Sequence, residues 1–69
     1  MNSETQRLLL EQINKLDELA REIVLLRIYG ELSFREIGAF AGISENHARV
    51  IFHRAKKHLH EEMGNTHGS

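Results

Sequence analysis

Hydrophobic residues recur every three or four positions along most of the 69-residue chain, a spacing that is typical of amphipathic helices. The pattern predicts four helices, over residues 4 to about 14, 17 to 29, 33 to 41, and 45 to about 62. The chain has no proline and is rich in Leu, Ile, Glu, Arg and Lys, which also favours helices. We therefore predict an all-α fold, a small four-helix domain.

The third helix has the clearest boundaries. Ser33 followed by Glu36 forms a capping box, in which each residue bonds the backbone N–H of the other. Leu32 and Ile37 stand where a hydrophobic staple places its two apolar residues. Gly42 is expected to end the helix with a positive φ. Ser44 is then a second N-cap, so another helix is expected to begin directly after the turn.

The expected core follows from the apolar spacing within each helix. The second helix is predicted to bury Leu19, Ile23, Val24 and Leu26, and Gly30 to stop it. Gly38, inside the third helix, costs about 1 kcal/mol relative to Ala, which indicates close approach of a neighbouring helix. The contacts between the third and fourth helices are predicted to involve Phe34, Ile37, Phe40, Ile43, Ala48 and Phe52. The inward stripe of the fourth helix is Ala48, Phe52, Ala55, Leu59 and Met63.

Two helices joined by a short turn that contains glycine form the helix-turn-helix pattern, here over about residues 33–52. In this motif the second helix enters the DNA major groove with its N-terminal end. Four residues at that end are predicted to contact base edges. Arg49 can pair with guanine, Asn46 with adenine and Glu45 with the cytosine amine, while Val50 can touch a thymine methyl group.

The charge distribution agrees with a polyanionic ligand. Residues 1–43 carry seven acidic and five basic side chains, whereas residues 46–60 carry four basic side chains, four histidines and no acidic residue. Phosphate contacts are predicted for Ser33, Arg35, Ser44, His47, His53, Arg54 and Lys57. The alternative for each of these residues is an ordinary solvated helix surface.

Other classes of function find little support. The chain has no cysteine, no glycine-rich phosphate loop and no nucleophile arrangement in a pocket, so we predict no enzyme, no small-molecule substrate and no cofactor. No two of the five histidines are three or four positions apart, so no metal site is predicted. No apolar run approaches the roughly 18 residues that span a membrane.

Residues 16–60 resemble region 4 of bacterial RNA polymerase sigma factors, the C-terminal promoter-recognition domain, and most of all the extracytoplasmic-function group. The resemblance is a pattern of leucines, a capping box and a turn at fixed spacing. Its matching residues are Leu16, Glu18, Arg21, Glu22, Leu26, Leu32, Ser33, Glu36, Ile37, Gly42, Ile43, Ser44, Arg54 and Ala55. The sequence departs from the pattern at Gly38, where the family usually has Ala, and at Val50 and Ile51, where polar residues are frequent.

The resemblance implies that the helix after Ser44 binds the −35 element of promoters in double-stranded DNA. It also implies docking on the β-subunit flap of RNA polymerase, occlusion by an anti-sigma factor, and a place in the bacterial cytoplasm at the nucleoid. Leu9, Ile13, Leu25 and Ile28 are candidates for the polymerase or anti-sigma contact. The alternative, that these apolar residues only close the bundle, stays open.

The expected organisation is a lead-in helix over residues 1–15, a region 4 domain over 16–63 and a disordered tail over 64–69. The chain has no counterpart of the domain that melts the −10 element, so a piece of a longer sigma factor is expected. Two rival functions remain. One is a free-standing regulator that binds an operator as a dimer, and the other is a helical protein-interaction module without a DNA role.

Overall fold

Four helices make up the computed structural model, which describes residues 3–66 of the chain and the side chains of residues 3–64. They are α1 (Ser3–Asn14), α2 (Glu18–Ile28), α3 (Phe34–Ala41) and α4 (Glu45–Thr66). All regular structure in this described part is helical, which confirms the predicted all-α fold. The observed helix starts differ from the predicted ones by at most one residue.

Local capping interactions explain why these helices begin where they do. The Asp17 carboxylate accepts a hydrogen bond from the backbone N–H of Ala20 at 2.8 Å. At α3 the capping box is complete, with the Glu36 N–H donating to Ser33 Oγ at 3.1 Å and the Ser33 N–H donating to Glu36 Oε1 at 2.9 Å. At α4, Ser44 Oγ accepts from the His47 N–H at 3.0 Å. Each cap satisfies a donor that has no partner within its own helix.

The turn between α3 and α4 depends on two glycines. Gly42 has φ 75°, the left-handed conformation predicted for it, and its N–H donates to the Gly38 carbonyl. Gly38 is buried against the start of α4, where a Cβ would lie 2.7 Å from the Ile43 carbonyl oxygen and 3.2 Å from the Glu45 nitrogen. The close approach predicted at Gly38 is therefore confirmed. Its neighbour is the backbone of the turn and of the first residue of α4.

The core lies where the helices converge on α4, which contacts each of the other three and packs most extensively against α3. Every helix contributes to it. The buried residues are Ile13, Ile23, Val24, Ile37, Ala48, Phe52, Ala55 and Leu59. The stripe predicted on α4 is confirmed from Ala48 to Leu59, and Met63 at its end is half-buried.

Two of the residues predicted to be buried are exposed. Phe40 retains 68% of its accessible surface, although it was expected to join α3 to α4. Successive residues of a helix are about 100° apart, and Ile37 and Gly38 set the buried direction of α3, so position 40 lies to one side of it. Leu19 retains 36% of its surface for the same reason, because Ile23 and Val24 define the buried direction of α2.

The end of α2 also differs from the prediction. The residue with a left-handed backbone is Glu31, with φ 56°, and not Gly30. This conformation turns the chain so that the Leu32 N–H donates to the Leu26 carbonyl at 3.1 Å. Gly30 instead fits a narrow space, since a Cβ there would lie 2.7 Å from the Leu26 carbonyl oxygen.

Helix α4 continues to Thr66, beyond the predicted end near Glu62. Residues 64–66, which were predicted to belong to a disordered tail, are therefore helical, and residues 67–69 of that tail lie outside the described residues. Gly64 does not adopt the positive φ with which glycine commonly ends a helix, and α4 continues through it. Adding residues to an existing helix costs little compared with starting one.

The Gly38 contact predicts the effect of adding one methyl group. Gly38→Ala should lower the free energy of unfolding by about 1–3 kcal/mol, because the new Cβ would overlap backbone atoms that have no freedom to rotate away. This outcome reverses the gain of about 1 kcal/mol that alanine normally brings to a helix. Urea denaturation followed by circular dichroism measures the difference.

Gly64→Ala is the matched control, since no heavy atom lies within 4 Å of a Cβ at that position of α4. It should leave the protein as stable as before or stabilise it. Equal effects of the two substitutions would show that Gly38 is not required for the packing of α3 on α4.

Candidate nucleic-acid interface

The side of α4 that faces away from the core carries four exposed residues in a nearly straight row. Asn46, Val50, His53 and Lys57 lie about 140–200° around the helix from Ala48, which is fully buried. We call this row the outward face. Two of the four residues predicted to contact base edges, Asn46 and Val50, are on it.

The other two predicted base-contacting residues, Glu45 and Arg49, lie on the flank of α4 next to α3. Arg49 Nη2 donates to Glu45 Oε2 at 3.0 Å, and the two side chains keep 43% and 49% of their accessible surface. The Arg49 guanidinium also lies over the ring of Phe34, 5.3 Å from its centroid. These two contacts place the Arg49 guanidinium at the edge of the outward face.

Phe34 lies at the centre of a group of five side chains, which we call the Phe34 cluster. Besides Arg49, the Arg27 guanidinium lies 4.5 Å from the Phe34 centroid, and Arg27 Nη1 donates to the Leu32 carbonyl at 2.9 Å. The rings of Phe52 and His53 lie 5.4 and 6.1 Å from that of Phe34. The predicted role of Phe34 in the contact between α3 and α4 is confirmed by its packing on Phe52. Sequence reasoning missed its contacts with Arg27 and Arg49, because they depend on how α2, α3 and α4 meet and no local spacing reveals them.

The residues predicted to contact phosphates are all exposed. His53 and Lys57 belong to the outward face itself, and the others lie beside it. Ser33 and Arg35, at the start of α3, lie on the side of the Phe34 cluster. Arg54 lies on the opposite side of α4, where it borders a pocket together with Leu16 and Asp17 of the α1–α2 connection. The remaining members of the set, on α4 and its cap, are Ser44, His47, His53 and Lys57.

The capping box limits what the start of α3 can offer an anion. Of its backbone N–H groups, those of Ser33 and Glu36 already have partners in the box, and the Glu36 carboxylate places a negative charge there. Hydrogen bonds from the Ser33 backbone and then from its side chain hold the pKa of Glu36 below its ordinary value of 4.5. What remains for a phosphate is the Ser33 hydroxyl proton and the N–H groups that follow it.

The candidate partner-contact residues separate into exposed and buried ones. Leu9 and Ile28 line an apolar groove of about 270 Å³ together with Lys56, Leu59, His60 and Met63, between α1, α2 and the C-terminal half of α4. Ile13 is only 1% exposed, so its prediction as a contact residue is wrong: its side chain fills the core. Leu25 is half-buried and packs against that core.

Within the described residues, no group of three or more His, Asp or Glu side chains is arranged to hold a metal ion. Over the same residues, no helix combines the length and the apolar character needed to cross a bilayer.

Comparison with known families decides the relationship. A model of the family described as sigma-70, region 4 matches residues 6–59, which is most of the chain. The chain belongs to the sigma-70 region 4 family. Comparisons with curated proteins and with solved structures gave no match.

Membership in this family relates the four helices and the turn at Gly42 to DNA binding. Region 4 of sigma factors is a helix-turn-helix domain that binds promoter DNA at the −35 element and interacts with RNA polymerase. The match begins at residue 6 and thus includes most of α1. The likeness to the extracytoplasmic-function group stays a prediction.

The lowered pKa of Glu36 predicts a pH dependence of stability. Because the folded-state pKa lies below the ordinary 4.5, the stabilisation is fully present above that pH and is lost as the pH falls through the lowered folded-state pKa. Glu36→Gln keeps an oxygen acceptor but removes the titration. The difference in free energy of unfolding between the two proteins should therefore shrink as the pH is lowered from 6 to 3. A difference that stays constant over this range would contradict the role given to the carboxylate.

Proposed function

We propose that this chain recognises the promoter −35 element as part of a sigma factor and so directs transcription initiation, with residues 45–60 of α4 in the major groove. The observation that carries the proposal is the exposed N-terminal half of α4. It combines hydrogen-bonding side chains on the outward face with a fixed guanidinium at the edge of that face. Such a surface matches the edges of bases between two rows of phosphates.

Each base contact has a chemical rationale. Arg49 offers parallel N–H donors to the O6 and N7 atoms of guanine, and the Asn46 amide pairs with the N6 and N7 atoms of adenine. Val50 keeps 37% of its surface and can lie against a thymine methyl group. Glu45 completes the set at the first position of the helix. Because Arg49 and Asn46 are three residues apart, they lie side by side about 60° apart around α4 and face adjacent base pairs.

The phosphate contacts support this orientation from both sides of α4. Ser33 and Arg35 approach one strand from the start of α3, with Ser44, at the cap of α4, nearby. His47 and Arg54 approach the other strand, and His53 and Lys57 follow further along the helix. Such contacts contribute affinity and register, while the base contacts contribute specificity.

The apolar groove is the proposed contact with the polymerase. Exposed Ile28 and half-buried Leu9 give it an apolar floor of the kind that receives a helix from a partner. We assign it to the β-subunit flap, and an anti-sigma factor would act by covering it. These partners place the protein in the bacterial cytoplasm, at the nucleoid. Its role is binding rather than catalysis, and it takes no cofactor.

Arg49→Ala tests the base contact. The substitution should weaken binding to a duplex selected from a random pool by about 1–3 kcal/mol and relax the preference at one base pair. Fluorescence anisotropy with that duplex and its single-base variants measures both effects.

Arg54→Ala is the matched control on the same helix. As the loss of a phosphate contact, it should weaken binding to all duplexes alike and reduce the slope of log affinity against log salt by about 1. If Arg49→Ala weakened binding to all duplexes alike, Arg49 would be only a phosphate contact.

Failure of the unmodified chain to bind any selected duplex, together with tight binding to a protein, would favour the interaction-module alternative. A palindromic selected site bound by a dimer would favour the free-standing regulator.

Ile28→Asp tests the groove. Burial of an isoleucine side chain contributes about 1.5–3 kcal/mol, so the substitution should weaken binding to purified bacterial RNA polymerase core at least about tenfold. DNA binding and stability should change little, because Ile28 is exposed and lies on α2 in the groove, whereas the outward face belongs to α4. Surface biosensor titration with immobilised core enzyme measures the loss.

Leu19→Asp is the control, since Leu19 is an exposed apolar residue of the same helix that does not line the groove. Equal losses for the two variants would rule out a specific role for the groove.

A further inference from the structure

Arg49 is fixed by contacts that leave most of its donors free. A guanidinium group has five N–H donors. The hydrogen bond to Glu45 engages Nη2, and the contact with Phe34 uses the face of the group and no donor. The remaining donors are more than the two that a bidentate contact to guanine requires. Arg49 can thus remain on Glu45 and Phe34 while it binds a base.

Phe34 cannot easily shift away from Arg49. Its ring packs against Phe52, which belongs to the core, with the centroids 5.4 Å apart. From the α2 side, the Arg27 guanidinium lies over the same ring and is itself bonded to the Leu32 carbonyl. The position of the ring is therefore fixed by three helices, and the ring face provides a stationary platform for the Arg49 guanidinium.

The Arg27 guanidinium brings a second positive charge close to Arg49. Arg27 and Arg49 lie over one ring, so the two cations repel each other. The Glu45 carboxylate lies 3.0 Å from Arg49 and offsets this repulsion. Its attraction keeps the Arg49 side chain on the flank of α4. Without it, Arg49 would be free to occupy many rotamers in solvent, and ordering it on DNA would cost affinity for the correct base.

We propose that Glu45 and Phe34 are positioning residues that determine specificity through Arg49: the carboxylate and the ring hold the guanidinium in the orientation that reads its base pair. The inference rests on the proposed function, since it requires Arg49 to contact a base. The inference also changes the role of Glu45. Glu45 would then affect sequence preference at the base pair that Arg49 contacts, and would not contact a base pair itself.

The test uses the full 69-residue chain and a duplex that it selects from a random pool. Arg49→Ala first identifies the base pair whose preference depends on Arg49. Glu45→Gln, Phe34→Leu and Phe34→Tyr are then compared with the unmodified chain. For each protein, affinity is measured for the selected duplex and for duplexes that carry each of the three other base pairs at that position. The same measurements are made at a second base pair of the site. Glu61→Gln on α4 and Phe40→Leu on α3 are matched controls, because both residues are exposed and lie outside the Phe34 cluster.

Glu45→Gln and Phe34→Leu should each reduce discrimination at the Arg49 base pair about two- to fivefold, the size expected for losing one exposed ion pair or cation–π contact. Discrimination at the second base pair should not change. Glu45→Gln should at the same time raise affinity for every duplex, because it removes a negative charge near the phosphates. Phe34→Tyr should retain the wild-type discrimination, since tyrosine keeps the aromatic face.

Several results would overturn the inference. A change of preference at a different base pair in Glu45→Gln would show that Glu45 reads a base itself. Wild-type discrimination in both Glu45→Gln and Phe34→Leu would remove the positioning role and leave the proposed function intact. If Phe34→Leu and Phe34→Tyr lost discrimination equally, or if Phe34→Leu and Phe40→Leu did, Phe34 would have no positioning role and the proposed function would remain intact. Absence of any base preference in the unmodified chain would overturn the proposed function, and the positioning role with it.

Phe34 is half-buried, so Phe34→Leu can also affect folding. Glu45→Gln changes only an exposed side chain and tests the inference independently. Reduced affinity for all duplexes with unchanged discrimination in both variants would count against positioning, since a loss of folded protein lowers binding to every sequence alike.

Discussion

The contact between Gly38 and the backbone that begins α4 fixes how the two helices of the motif lie relative to each other. With no side chain at position 38, the Ile43 carbonyl and the Glu45 nitrogen come within distances that any Cβ would obstruct. Gly42 then reverses the chain in the left-handed conformation, and its N–H returns to the Gly38 carbonyl. The start of α4 is thereby anchored to the middle of α3, and the direction in which its first residues point is set by backbone atoms.

This anchoring explains why the same helix serves the core and a proposed ligand surface. The inward stripe of α4 includes two alanines, Ala48 and Ala55, which let the helix approach its neighbours closely. Phe52 fills the space between them and carries the contact to Phe34. Because the inward side is fixed by burial, the orientation of the outward face follows from helix geometry alone. No loop has to be ordered for Asn46 and Val50 to face a groove.

Local chemistry made most of this fold predictable from sequence. The capping box at Ser33, the turn at Gly42 and the apolar stripe from Ala48 to Leu59 each depend on residues within a few positions of one another, so their spacing carries the information. Errors arose where a distant element decides the outcome. Phe40 is apolar and well spaced, yet no neighbouring helix covers it. A left-handed glutamate at position 31 is not foreseeable from a chain with glycine directly before it.

The candidate site also combines features that follow from local spacing with features that depend on how the helices pack. Exposure of its residues on one side of α4 follows from the period of the helix, and so does the proximity of Glu45 and Arg49, which are four residues apart. The stacking of Arg49 on Phe34, however, requires the register of α3 on α4, which the packing at Gly38 sets. Likewise, no pattern within α1 distinguishes Leu9, which lines the groove, from Ile13, which fills the core. Both facts depend on how the helices meet.

The length of α4 allows two proposed partners to bind at once. With a rise of about 1.5 Å per residue, its 22 residues extend about 33 Å, well beyond the first turns that would enter a major groove. The groove uses the other end, where Lys56, Leu59, His60 and Met63 meet α1 and α2. The residues proposed to contact bases and the groove therefore lie near opposite ends of one helix. A partner in the groove leaves Asn46, Arg49 and Val50 uncovered, so that a single helix can connect bound DNA to a bound protein at a fixed distance.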